Sequence, residues 1–244
     1  MRAVYWKEIR SFLSSLIAYL VISVFLVLTG LFMWVFKDTS ILEYNYAGLE
    51  QLFSIGPLVF TFLIPAITMR SFSEEMQQGT IELLATKPLT DSQIILGKYF
   101  ANLTLVLLAI APTLIYYFSV YQLGSPVGNI DSGAVFGSYI GLAFLAAIFV
   151  SIGIYCSSIT NNQIVSFILA AFLCFFMHWA FSYLSNLSIF FGRWDNLVQM
   201  IGISHHYNAI SKGMIDSRNV IYFLSVICLF IWFTHVSLAK RKWS

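Results

Sequence analysis

Acidic side chains at helical spacing are the first residues in this 244-residue chain that could do chemistry. In "SFSEEMQQGTIELLATKPLTDSQIILGKYF", Ser71 to Phe100, Glu74, Gln78 and Glu82 stand four apart with Glu75 beside them, and Phe72, Met76, Leu83 and Leu84 share another face. A helix with one acidic and one apolar face offers mixed contacts to a protein partner. It lacks the nucleophile with an adjacent base, or the carboxylate pair in a pocket, that catalysis requires. Gly97-Lys98 is the one pair reminiscent of a phosphate loop. Its partner glycine would fall at Ser92, and Tyr99 follows where Ser or Thr is needed, so nucleotide binding by this chain is not expected. His205-His206 would point about 100° apart on a helix, with no Cys or carboxylate at ligand spacing, so no metal is expected. Cys156, Cys174 and Cys228 lie in apolar runs without pairing or metal spacing and read as small core residues. His178 reads as hydrogen-bonded packing deep in an apolar run. No enzymatic activity and no cofactor are predicted.

The elements that must position the acidic segment are apolar. The chain is 59% hydrophobic and 10% charged, against roughly 25% charged in soluble domains, and its mean hydropathy is +0.82. A soluble fold could not hide that surface, so the solvent is lipid. A net charge of +2 is too small to suggest nucleic acid. Charge-poor runs predict six membrane spans at about 12–36, 51–70, 99–123, 133–156, 164–184 and 220–239, the fourth and fifth split by the polar knot "SSITNNQ". Long apolar runs, not period-two alternation, favour helices over a barrel. Arg2, Lys7 and Arg10 resemble the start of a signal peptide, but the 25 uncharged residues that follow are too long for one and no small-residue cleavage site appears. The expected fold is an all-α integral membrane protein in one domain, 1–244, with no charge inside the spans and hence no ion path.

Around the spans, "MRAVYWKEIRSF" predicts an N-terminal interfacial helix with Tyr5, Ile9 and Phe12 on one face, Lys7, Arg10 and Ser11 on another, and Trp6 at headgroup level. In span four, Gly133, Gly137 and Gly141 recur every four residues, the spacing that lets helices approach closely. Trp194, Leu197, Met200 and Ile201 predict a surface or re-entrant helix before span six. In the acidic segment a helix is expected over 71–86, ended by Pro88. A second helix starts with a capping box at Thr90–Gln93 and runs into span three. Gly79 inside the first helix costs roughly 1 kcal/mol against Ala, which implies close approach of a neighbour or a break.

The segment "EEMQQGTIELLATKPLTDSQIILGKYFA" resembles the signature region of ABC-2 type transporter permeases through Glu75, Gly79, Thr80, Glu82, Leu83, Leu84, Pro88, Leu89, Thr90, Gly97 and Lys98. That resemblance implies a cytoplasmic coupling helix between spans two and three, in the region 71–98, that meets a separate cytoplasmic ABC ATPase. It also implies a second membrane subunit or a copy of the same chain as partner, and cytoplasmic termini in the bacterial inner membrane. "KEIRSFLSSLIAYLV" and "KGMIDSRNVIYFLS" resemble, more narrowly, the permease subunits of Bacteroidetes gliding-motility transporters. The alternative is a non-transporting scaffold or force-transmitting subunit of a motility or secretion assembly, since the spans carry few polar residues. No substrate or direction of movement follows.

Positive charge sets the orientation. Arg2, Lys7, Arg10, Arg70, Lys87, Lys98, Lys240, Arg241 and Lys242 fall on the side of the termini, against Lys37, Arg193, Lys212 and Arg218 on the other, which places the termini inside. Single-cysteine probes at Gln78 and Ser244 are therefore expected to label from the cytoplasm and a probe at Tyr44 from outside; labelling of Gln78 from outside would invert the topology.

Overall fold

A computed structural model describes residues 1–44, 46–80, 89–186, 195–214 and 216–241. The described residues form helices joined by short turns, with no strand among them. They are α1 (Arg2–Leu13), α2 (Leu16–Trp34), α3 (Ile41–Tyr44), α4 (Glu50–Thr68), α5 (Arg70–Gln77), α6 (Asp91–Ile110), α7 (Leu114–Leu123), α8 (Ser132–Ile159), α9 (Gln163–Phe175), α10 (Phe181–Ser185), α11 (Asp195–Ile201), α12 (Ile203–Ile210) and α13 (Ser217–Arg241). Five helical stretches are long and apolar enough to cross a membrane, and there are six if α1 and α2, a pair bent by 68°, are counted as one span.

The helix boundaries follow local chemistry. Thr90 and Gln93 close the expected capping box: the Thr90 hydroxyl accepts from the Gln93 amide at 3.3 Å and the Gln93 side chain accepts from the Thr90 amide at 3.4 Å. Asp131 caps α8 by accepting from the Ala134 amide at 3.0 Å. Within the polar knot, Asn162 caps α9 by accepting from Ile164 at 2.9 Å and Val165 at 3.4 Å. α5 is shorter than the helix expected over 71–86. It ends at Gln77 because Gly79 takes φ +68°. The Gly79 amide then bonds to the Met76 carbonyl at 3.2 Å and the Thr80 amide to the Glu75 carbonyl at 2.9 Å, the paired bonds of a Schellman stop. A Cβ on Gly79 would meet nothing within 4 Å, so its glycine serves the left-handed turn and not a close neighbour. Glu82, Leu83, Leu84 and Pro88 lie outside the described residues.

α4 and α5 run together as one stretch of 28 residues, Glu50–Gln77. At 1.5 Å per residue that is about 42 Å, against a hydrocarbon core of about 30 Å, so the stretch exceeds the lipid thickness by roughly two turns. α8, another 28-residue stretch, packs beside it. α8 is the central helix, with α4, α5, α6, α9, α12 and α13 all against it, and its residues from Leu145 to Ile154 are buried throughout.

Glycines set the spacing around this centre. A Cβ on Gly56 would come within 2.9 Å of the Leu142 side chain, and one on Gly153 would run into the Thr68 side chain, so each helix receives a side chain of the other directly on a glycine. At the other end of α8 a Cβ on Gly137 would sit 2.9 Å from the Gly213 Cα, and one on Gly141 would sit 3.0 Å from Ile210. Gly133 is exposed, and its Cβ would meet only the Asp131 carboxylate at 3.3 Å. The close approaches of the row are therefore inside the chain, against the turn after α12. Gly137→Leu should destabilise by more than about 3 kcal/mol, because a backbone atom cannot step aside. Gly133→Leu should cost under about 1 kcal/mol. Thermal unfolding of the two purified variants checks this; equal losses would mean that the row packs differently.

Candidate functional site

Three segments converge where α5 ends and α6 begins. α1 seats on α6 because Gly97 has no side chain: a Cβ there would lie 3.0 Å from the Val4 Cβ and 3.2 Å from the Met1 carbonyl. About two turns further along α6, the Thr104 hydroxyl meets the Tyr5 hydroxyl at 3.1 Å. Val4, Glu8 and Phe12, four apart, form the buried stripe of α1, while Trp6, Lys7, Arg10 and Ser11 remain exposed. On α6 the matching buried stripe is Ile94, Lys98, Asn102 and Leu105. Each stripe thus carries an ionisable side chain in an otherwise apolar or neutral row.

Those charges meet. The Lys98 ammonium is 1% exposed, donates to Glu8 Oε1 at 2.9 Å, and also donates to the Ser71 carbonyl. Glu75 Oε2 of α5 stands 3.0 Å from the same nitrogen in an ionic contact without hydrogen-bond geometry. The other Glu75 oxygen accepts from Lys7 at 2.7 Å, and Lys7 lies 3.6 Å from Glu8. Two cations and two carboxylates give a neutral quartet, closed on one side by the Phe72 ring, whose centroid is 5.0 Å from the ammonium. Partial burial pulls the Lys7 ammonium down, but its hydrogen bond to Glu75 and the two nearby carboxylate charges outweigh that and leave it above its usual value.

Neutral polar groups complete the junction. The Asn102 amide donates to the Ser71 hydroxyl at 3.0 Å and to the Lys98 carbonyl at 2.8 Å. On the far side of α5, the Ser157 hydroxyl of α8 accepts from the amides of Phe72 at 2.9 Å and Ser73 at 3.0 Å, and donates to the Met69 carbonyl at 3.0 Å. Inserted there, it supplies the partners that the α4–α5 break at Met69 removes from the backbone ladder.

The expected acidic row is therefore divided. Glu75 is buried in the quartet and is no part of a solvated face. Glu74 is half-buried and pairs with Arg70 one turn back at 2.9 Å. The exposed surface of this end is Gln77, Gln78 and Gly79, with Thr80 half-buried beside them. The expectation of no charge inside the spans also changes: Lys98 lies in a stretch, Asp91–Leu123, that qualifies as a span. Glu8 and Ser157 went unrecognised in the sequence. Glu8 was detectable, because it is four residues from Val4 and from Phe12 in an apolar stripe, and a charge there demands a partner.

Residues 2–243 match the family model described as ABC-2 family transporter protein. Among curated proteins no sequence matches. The match spans nearly the whole chain and agrees with its bundle of membrane-length helices: the protein belongs to the ABC-2 transporter family and is a multi-pass membrane protein.

Proposed function

We propose that this chain is the non-catalytic membrane subunit of an ATP-binding-cassette transporter. A separate cytoplasmic ATPase docks on it from inside, at the surface formed by Gln77, Gln78, Gly79 and Thr80, and a second membrane subunit or a second copy completes the transporter. The cation distribution supports cytoplasmic termini, and the inner membrane and gliding motility are what the resemblances imply.

The observation that carries this reading is the shared ammonium of Lys98. Pressure at the tip of α5 enters α4 directly, because the two form one helical stretch. It enters α6 through Lys98, and α1 through Glu8, which leads into α2. One contact surface thereby moves three membrane helices. The individual ion pairs matter less as attraction than as obligatory partners: a charge left alone at such a site costs about 3–5 kcal/mol.

Two measurements test this. Gln77→Trp with Gln78→Trp should leave the permease at normal membrane levels and unfolding temperature, since both side chains are exposed, while ATPase recovery in a pull-down collapses. Undiminished recovery would remove the docking surface from this end. Lys98→Met should lower stability by about 3–5 kcal/mol by stranding Glu8 and Glu75. Adding Glu8→Gln and Glu75→Gln to Lys98→Met should restore most of that loss. A triple variant no better than Lys98→Met would show that the ammonium acts by shape and not by charge.

A further inference from the structure

Pro57 stands inside α4 and has no N–H, so the Phe53 carbonyl one turn before it loses its regular partner. In lipid a carbonyl freed in this way must find a donor elsewhere. It finds one on another helix: the Tyr207 hydroxyl of α12 donates to it at 2.6 Å. Tyr207 is 2% exposed, and the bond is buried. The two residues lie in the wall of a cleft of about 730 Å³ at the end of the bundle remote from α5, formed by the first turns of α4 and α8, by α10 and by α12.

Charge does not hold this cleft together, because Glu50, Asp131 and Lys212 stand exposed at its rim. Neutral polar groups tie its walls. Ser138 of α8 faces two carbonyls, Ala134 at 2.8 Å and Ser211 at 2.6 Å, and has one proton to divide between them. The Ser182 and Ser204 hydroxyls of α10 and α12 meet at 2.7 Å, and His206 of α12 meets Asn219 of α13 at 2.7 Å; both bonds are only partly buried. Of these ties, the one from Tyr207 to Phe53 is both undivided and fully buried. The Tyr207 ring is backed by His178, 6.0 Å away in the π turn Phe176–Ala180 between α9 and α10. His178 is buried and its Nδ1 has no hydrogen-bond partner among the described residues. The hydrogen bond expected of His178 is therefore missing at that nitrogen, and Nδ1 does not compete for the Tyr207 hydroxyl.

We propose that Tyr207 latches α12 to α4 at the carbonyl that Pro57 frees, so that α12 and the cleft wall it forms follow α4 when α4 moves. Phe53 lies near the start of the same helical stretch, Glu50–Gln77, that ends in α5. In carrying displacement from α5 the latch rests on the docking reading above. As a tie between two helices it belongs to this chain alone and is tested without an ATPase, so the two can fail separately.

The test is hydrogen exchange of the full chain in lipid nanodiscs, read over α4 and α12. Tyr207→Phe removes one oxygen and should speed amide exchange in both helices roughly three- to ten-fold, the worth of one interhelical hydrogen bond in a membrane. Adding Pro57→Ala gives the Phe53 carbonyl an N–H within its own helix. The double variant should return the first turns of α4 to the original rate and leave α12 fast. A second readout is the distance between spin labels at Leu58 and Asn208, both exposed, with Cys228 replaced by Ser. Its distribution should be narrow with Tyr207 in place and broad in both variants. Recovery of α12 together with α4 would show that Tyr207 merely satisfies a carbonyl. Unchanged exchange in Tyr207→Phe, or a distance distribution that stays narrow without the hydroxyl, would show that the bond holds nothing. Any of these results overturns the latch.

Discussion

A lysine ammonium held away from water between two carboxylates is the interaction on which one end of this protein, where α1, α5 and α6 meet, depends. In a medium of low effective dielectric, Lys98 cannot remain charged without Glu8 and Glu75, and neither carboxylate is comfortable there without a cation. Because the three groups come from α6, α1 and α5, the electrostatic requirement becomes a geometric one. α1 cannot lift from α6, nor α5 from either, without stranding a charge. Gly97 permits the close seat, Phe72 covers it, and Lys7 carries its outer edge to solvent.

The opposite end of the bundle is built on a different principle. There the walls are tied by neutral hydroxyl and carbonyl bonds, and charge is confined to the rim. Between the two ends α8 is continuous over 28 residues and touches both: Ser157 grips α5, and Ser138 grips the turn after α12. The glycine contacts at Gly56 and Gly153 seat the Leu142 and Thr68 side chains directly on the facing helix and hold α4 close to α8. A bundle so arranged transmits displacement along its axis instead of absorbing it in side chains.

Much of this was legible in the sequence. Apolar runs predict membrane-length helices because lipid allows no other solution for the backbone, although the helical stretches Glu50–Gln77 and Asp91–Leu123 run about two turns beyond the expected bounds, and Thr90 with Gln93 announced its helix start because capping is a local matter. Gly79 posed the right alternatives, and its positive φ decides for the break. What failed was assignment of partners. A helical wheel places Glu75 beside Glu74 and Gln78, but the wheel of an isolated helix does not say which side another helix will cover. The π turn at His178 was likewise invisible, since nothing in "CFFMHWAF" distinguishes it from regular helix. Ser157 looked like part of a polar loop and instead completes the backbone of a helix 84 residues away.

The claim that α1 and α5 form one block around Lys98 is tested most directly by a distance. Spin labels at Trp6 and Gln77, both exposed, with Cys228 replaced by Ser, can be followed by pulsed electron–electron resonance in the chain co-purified with the ATPase proposed to dock on it, with and without ATP. One narrow distribution, unchanged by nucleotide, is the predicted result. A distribution that broadens or shifts on adding ATP would show that α1 and α5 part during the cycle, and that the buried ammonium does not bind them into one body.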